Sequence, residues 1–295
     1  MTKSYEPARL IARPVEFDWS DLPFYWVPDE PFASHAFNMN HLLLPAGEQW
    51  FCRVFQEAMP FVVDPVLRRD MALFLKQEAN HARAHNEVVA YYQTQGIDVA
   101  PVINWIEDWW RKNLGPRFLG RELKSGWAKR QWLLYRLGVV AAIEHFTCVL
   151  GKWMLETDGF DKAKAHPVMA DLLRWHGAEE IEHRSVAHNV LRHLGGGSLV
   201  GRYVHMGSAL VFMGKHMTYA TKFMLDQDEL FQPSSIRREI SEAQAKNLLP
   251  KAGLMLRAIG RFLKPGYHPD HEATLAQADR YLVRSPAVVA GQGEG

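Results

Sequence analysis

The chain has 295 residues, 47% of them hydrophobic and 23% charged, with a formal net charge of +1. That length supports a large buried core, and the near-neutral charge excludes a nucleic-acid partner held by bulk electrostatics. Two cysteines, Cys52 and Cys148, make no disulfide framework and suit a reducing, cytoplasmic setting.

The opening "MTKSYEPARLIARPVEFDW" lacks an apolar h-region, so no signal peptide is expected. Residues 1–40 are rich in proline and aromatics, which are costly to leave in water, and they predict an ordered arm packed on the core. A first helix is expected over "LPAGEQWFCRVFQEAM", with Pro45 in its first turn. Asp64 and Pro65 then cap and open a long second helix that ends at Gly96. A Trp-rich stretch, "VINWIEDWWRKNLGPRFLGRELKSG", predicts one or two shorter helices. The third long helix is "WAKRQWLLYRLGVVAAIEHFTCVLGKWMLE". The fourth runs from Pro167 to the glycines Gly195–Gly197. Leu199 to Leu225 is apolar but broken by Arg202, His205, Lys215, His216 and Lys222, so it reads as a buried or partner-facing helix rather than a transmembrane segment. A homodimer is one expected assembly. Strand-like alternation is absent. The expected class is all-α, with an arm at 1–40, a helical bundle at 41–197, and C-terminal helices and a polar tail at 198–295 in the same domain.

Polar groups sit where apolar stripes should continue. At about 100° per residue, His81 and His85 fall about 60° and 20° from Glu78, on the stripe of Met71, Phe74, Ala82 and Val89. In "WHGAEEIEH", His176 and His183 fall within about 60° of Glu180. Glu48 shares a face with Cys52, Phe55 and Met59, and Glu144 with Leu137, Ala141 and Cys148. In chain order this is a single Glu, a Glu-x-x-His pair, a second single Glu and a second Glu-x-x-His pair. The spacing repeats, with 30 residues from Glu48 to Glu78 and 36 from Glu144 to Glu180, and 66 residues separate the halves.

Four ionised carboxylates in an apolar core would be prohibitive unless neutralised, and two divalent cations would do that, with neutral imidazoles completing the coordination. An oxygen-rich set with some nitrogen suits iron first, and manganese or a mixed Mn/Fe pair next. Gln77 and Glu179 each precede a ligand glutamate and lie beside the imidazole of their own helix, where they could hold its other ring nitrogen. Glu182, near 200°, and His145, a quarter-turn from Glu144, fall outside the set.

This pattern resembles the ferritin-like di-iron carboxylate proteins, over about residues 45–195. The resemblance implies a four-helix bundle with a long crossover and two metal ions. His176 makes the fourth motif His-x-x-x-Glu-x-x-His, similar to that of the p-aminobenzoate N-oxygenase group, whose sites carry an extra histidine. The implied ligands are Glu48, Glu78, His81, Glu144, His176, Glu180 and His183. Where many di-iron enzymes have Asp-Glu, this chain has Gln77-Glu78 and Glu179-Glu180. Antiparallel second and fourth helices would place His85 and His176 in one layer, with His176 the ligand and His85 its hydrogen-bond partner or a pocket wall. The segments "PAGEQWF", "QEANHARAHN", "IEHFT", "WHGAEEIEH" and "LKPGYHPDHE" resemble the bacterial family of predicted metal-dependent hydrolases.

The leading expectation is therefore an oxidoreductase of monooxygenase type, using two ferrous ions and O₂ to oxygenate or desaturate an organic substrate. A small apolar or aromatic substrate and an external reductant go with it. The alternative is a hydrolase using a metal-bridging hydroxide. A third reading is a ferroxidase or iron-storage protein.

Overall fold

The computed structural model describes residues 10–292. The helices in chain order are α1 (Pro31–Ala58, with a 3-10 turn Met59–Phe61), α2 (Pro65–Thr94), α3 (Ala100–Leu114), α4 (Gly126–Glu156), α5 (Gly159–Lys162) and α6 (Pro167–His183). They continue with α7 (Val186–His193), α8 (Leu199–Asp226), α9 (Ile236–Ala245), α10 (Ala252–Phe262), a 3-10 turn at Pro269–His271, α11 (Leu275–Leu282) and α12 (Pro286–Gln292). Among the described residues there is no strand beyond an isolated bridge between Phe118 and Arg121. The protein is all-α.

Local chemistry sets most boundaries. The Asp64 carboxylate accepts from the N–H groups of Val66 and Leu67, and Gly96, at φ +83°, turns the chain out of α2. Ser125 caps α4 and Ser198 caps α8 in the same way.

Two boundaries differ from expectation. The first helix begins at Pro31, not near Pro45, and Pro45 lies inside it. Proline's missing N–H removes one rung, to the carbonyl of His41, but burial of residues on both sides of Pro45 keeps the helix going. The arm is accordingly shorter, ending at residue 30. The fourth expected helix is two: α6 stops at His183, Arg184 and Ser185 form a turn, and α7 resumes at Val186.

α1 packs on α2, α2 on α6, α6 on α4 and α4 on α1, which closes a ring of four helices. α8 lies against α1 and α4, α3 against α1, and α11 and α12 against α6. At the α4–α6 crossing a Cβ on Gly151 would lie 2.2 Å from the carbonyl oxygen of Gly177, so both positions require glycine. That close approach brings the face of α4 carrying Glu144 and Thr147 onto the face of α6 carrying Glu180. Below it, Phe55 and Phe74 stack at 4.3 Å, fully buried, each worth about 1.5–3 kcal/mol in burial.

The arm is tied to α2 by side chains at three-residue intervals. Gln77, Asn80 and Arg83 donate to the carbonyls of Ile11, Arg13 and Val15 respectively. Among the described residues one helix, α4, is long and apolar enough to cross a membrane, and 83% of its most apolar window is buried inside the protein.

Candidate metal centre

The ring of helices points seven polar side chains at one another: Glu48 from α1, Glu78 and His81 from α2, Glu144 from α4, and His176, Glu180 and His183 from α6. All seven are buried. Glu180 is central. Its Oε1 lies 2.8 Å from His176 Nε2, 3.8 Å from His81 Nδ1 and 3.9 Å from His183 Nε2, and its Oε2 accepts from the Thr147 hydroxyl. His183 Nδ1 lies 2.8 Å from Glu144, and His176 Nε2 lies 3.7 Å from Glu48. Glu78, His81, Glu180 and His183 offer donor atoms all within 4.8 Å of one another, and so do Glu48, His85 and His176. These are two candidate ion sites side by side.

The fit to metal rests on atoms with no hydrogen bond. Both oxygens of Glu48, both of Glu78, Glu144 Oε1, His81 Nδ1 and His183 Nε2 are buried without a partner among the described residues. His183 Nε2 and Glu78 Oε1 are 3.2 Å apart but not in hydrogen-bonding geometry. Each such atom would cost about 1–3 kcal/mol if left bare. A set of oxygen and imidazole nitrogen donors converging this closely fits two divalent cations.

Electrostatics agree with the geometry. Burial, reinforced by neighbouring carboxylates, pushes Glu48 and Glu78 well above the usual carboxylate range. Burial and Glu180 lift Glu144 to about 7, with His183 pulling the other way. At Glu180 burial also pulls upward, but His183, His176 and Thr147 outweigh it and hold the group low. Burial pulls His183 down, yet Glu180 and Glu144 raise it to about 9. Without metal, protons must stand in for cations.

A pH dependence follows. A group whose folded value is raised gives stability that is lost as pH climbs from its unfolded to its folded value. For Glu144 that window is 4.5 to about 7, and for His183 it is 6.5 to about 9. These two groups therefore take stability from the metal-free protein across this range, while bound cations replace their protons. Buried histidines away from the cluster titrate alike in both forms and cancel. The gap in melting temperature between metal-loaded and metal-stripped protein is expected to be wider at pH 8 than at pH 6. An equal gap at both would contradict it.

The flanking residues act across helices. Glu179 Oε2 lies 3.1 Å from His81 Nε2 on α2, not beside the imidazole of its own helix. That contact leaves His81 Nδ1 to face Glu180. Gln77 reaches no histidine; its amide donates to Glu182 at 2.8 Å and to the carbonyl of Ile11. Glu179→Gln is expected to weaken metal affinity by about 10- to 100-fold while leaving the helical content unchanged. Wild-type affinity in that variant would remove Glu179 from the site.

Several partners were not foreseen from the sequence. Glu182, set aside for its angle, is buried because the arm covers that side of α6, and Arg13 grips it through two hydrogen bonds of 2.8 Å. Arg13 also lies 3.4 Å from Glu179. His85 Nε2 is 2.7 Å from His176 Nδ1, and His85 Nδ1 is 2.7 Å from His41 Nδ1, so His41 ends a chain of three imidazoles running from Glu180. His41 lies two turns before Glu48, at about 20° from it, a signal hidden by starting the helix at Pro45. His145 points away from the cluster, with Nδ1 at 2.8 Å from the Tyr267 hydroxyl.

A cavity of about 740 Å³ opens on this cluster, and Thr147, His176 and Glu180 form part of its wall. Residues 11–273 match the family described as predicted metal-dependent hydrolases. The chain belongs to that family. No curated protein and no solved structure matches it.

Proposed function

We propose that the protein is a two-metal enzyme acting on an apolar substrate. The observation that carries this is that His176 and Glu180 belong both to the donor cluster and to the wall of the cavity. Glu48, Glu78, His81, Glu144, His176, Glu180 and His183 would hold the two ions, with His85, which shares the second donor group, hydrogen-bonded to His176 instead. Bound divalent metals supply Lewis acidity and lower the pKa of a coordinated water.

The protein's own groups then fix the geometry. Thr147 holds one oxygen of Glu180, Glu179 holds the far nitrogen of His81, and His85 holds that of His176. Leu150 and Leu173 line the cavity one turn from Thr147 and His176, and they keep bulk water from the reacting group.

The family description supports hydrolysis as the reaction; an ester or amide carbonyl that reaches the metals would lie against Glu180, which is in the cavity wall. A second reading, oxidation by O₂ with an external reductant and iron, is favoured by a buried donor set of four carboxylates and three imidazoles, of which His176 and Glu180 reach the wall of an apolar cavity. One experiment separates them. Protein loaded with zinc, manganese or ferrous iron is given a long-chain ester and a chemical reductant such as ascorbate, and acid release and O₂ uptake above a protein-free control are followed together. Acid release without O₂ uptake supports hydrolysis. O₂ uptake by the iron form coupled to oxidised product, with the ester bond intact, supports the second reading. No metal-dependent turnover of either kind would contradict the enzymatic reading.

A further inference from the structure

We propose that the cavity holds one long acyl or alkyl chain, lying along α1 and α8, with its functional group at Glu180 and its chain running out to a mouth beside α9. As a substrate class this rests on the two-metal reading above; as a binding site it does not.

The wall of the cavity follows α1 from Phe32 to Leu44 and α8 from Met213 to Asp226. At 1.5 Å per residue these runs are about 18 and 20 Å long. The two helices are antiparallel. His35 meets Asp228 at 2.8 Å at one end, while at the other Trp110 lies against Gly47 and stacks on His216. The cavity is therefore a slot along both helices, not a rounded chamber.

Its two ends differ chemically. The inner end, at Leu43 and Leu44, is one turn before Glu48, which lies 3.7 Å from His176. The outer end reaches Phe32, and wall residues there on α8 and α9, Lys222, Asp226, Ile236 and Ile240, are exposed. Lys222 and Asp226 are paired with each other at 2.7 Å, so recognition falls on the chain rather than on a charged head group. Met39, Met154, Met213 and Met217 line the slot with flexible thioethers that adapt to a flexible chain. A compact ring would fill only part of such a slot. Each methylene added to a chain removes more apolar surface from water.

The test is calorimetry on the metal-loaded protein with octanoate, tetradecanoate and octadecanoate, and with the matching alkanols, which lack a carboxylate for the metals. Affinity is expected to rise about fourfold per added methylene in both series, then level off once the chain outruns the slot. Ala36→Trp and Thr221→Trp, each placing an indole in the outer wall, should weaken tetradecanoate tenfold or more and leave octanoate within twofold. Two variants guard against one misfolding, and circular dichroism checks each. Affinity independent of chain length, or testosterone binding more tightly than any chain, would overturn the proposal. Because fatty acids and alkanols carry no scissile bond, chain-dependent binding without turnover of any long-chain ester sinks the enzymatic reading and leaves the chain site standing. Turnover of short esters without chain dependence does the reverse.

Discussion

Glu180→Ala is expected to reduce metal content from two ions per chain to one or none, with loss of turnover. The proposed ligand set makes Glu180 the shared carboxylate, since His176, His81 and His183 all face its Oε1 within 3.9 Å. The thermal behaviour distinguishes ligation from packing. In the metal-free protein this carboxylate is one of four crowded into a buried site, so its removal relieves repulsion on Glu48, Glu78 and Glu144. Removal also takes the partner of His183, His176 and Thr147, so the metal-free variant should melt below the metal-free wild type, and the increment gained on adding metal should vanish. A side chain that merely packed would lower the melting temperature without metal but leave a normal increment with it. A variant retaining two ions per chain would refute the assignment.

The second large effect is expected far from the ligands in sequence. Arg13→Met should destabilise the protein by about 3–5 kcal/mol, because it leaves Glu182 buried and unpaired beside Glu179. Glu182 is 1% exposed and Arg13 10%, so water can replace little of what is lost. Adding Glu182→Gln to the variant removes the orphaned charge and should recover most of that stability, since Gln77 can still bond the new amide. A single variant as stable as wild type, measured by urea unfolding with metal bound, would contradict the account. So would failure of the second substitution to recover any stability.

Helix boundaries set by local chemistry were legible in the sequence. Asp64 followed by Pro65, Gly96 and Pro167 act on their own neighbours and need no tertiary context. Pro45 misled because proline opens helices more often than it sits inside them, and the apolar contacts that hold α1 through it come from distant segments. That single boundary also hid His41. At the break after His183, Arg184 pairs with Asp270, a contact from far along the chain that spacing on one helix does not report.

The convergence of Glu48, Glu78, His81, Glu144, His176, Glu180 and His183 was legible because helical periodicity reports which residues share a face. What periodicity cannot report is which second element covers the other face. Glu182 points away from Glu180 and would be exposed on a bare bundle; the arm makes it internal. For the same reason the partners of Gln77 and Glu179 were misread. Spacing along one helix points to the nearest imidazole on that helix, whereas packing of α2 on α6 brings Glu179 to His81 and Gln77 to Glu182.

Whether this cluster binds two metal ions is decided by metal stoichiometry. Protein stripped with a chelator is reloaded anaerobically with ferrous iron, passed through a desalting column and analysed for iron per chain. The account predicts two retained ions per wild-type chain and none in the Glu78→Ala/Glu180→Ala double variant, provided both proteins keep their helical signal. One ion or none in the wild type, or equal loading of the wild type and the double variant, would contradict it.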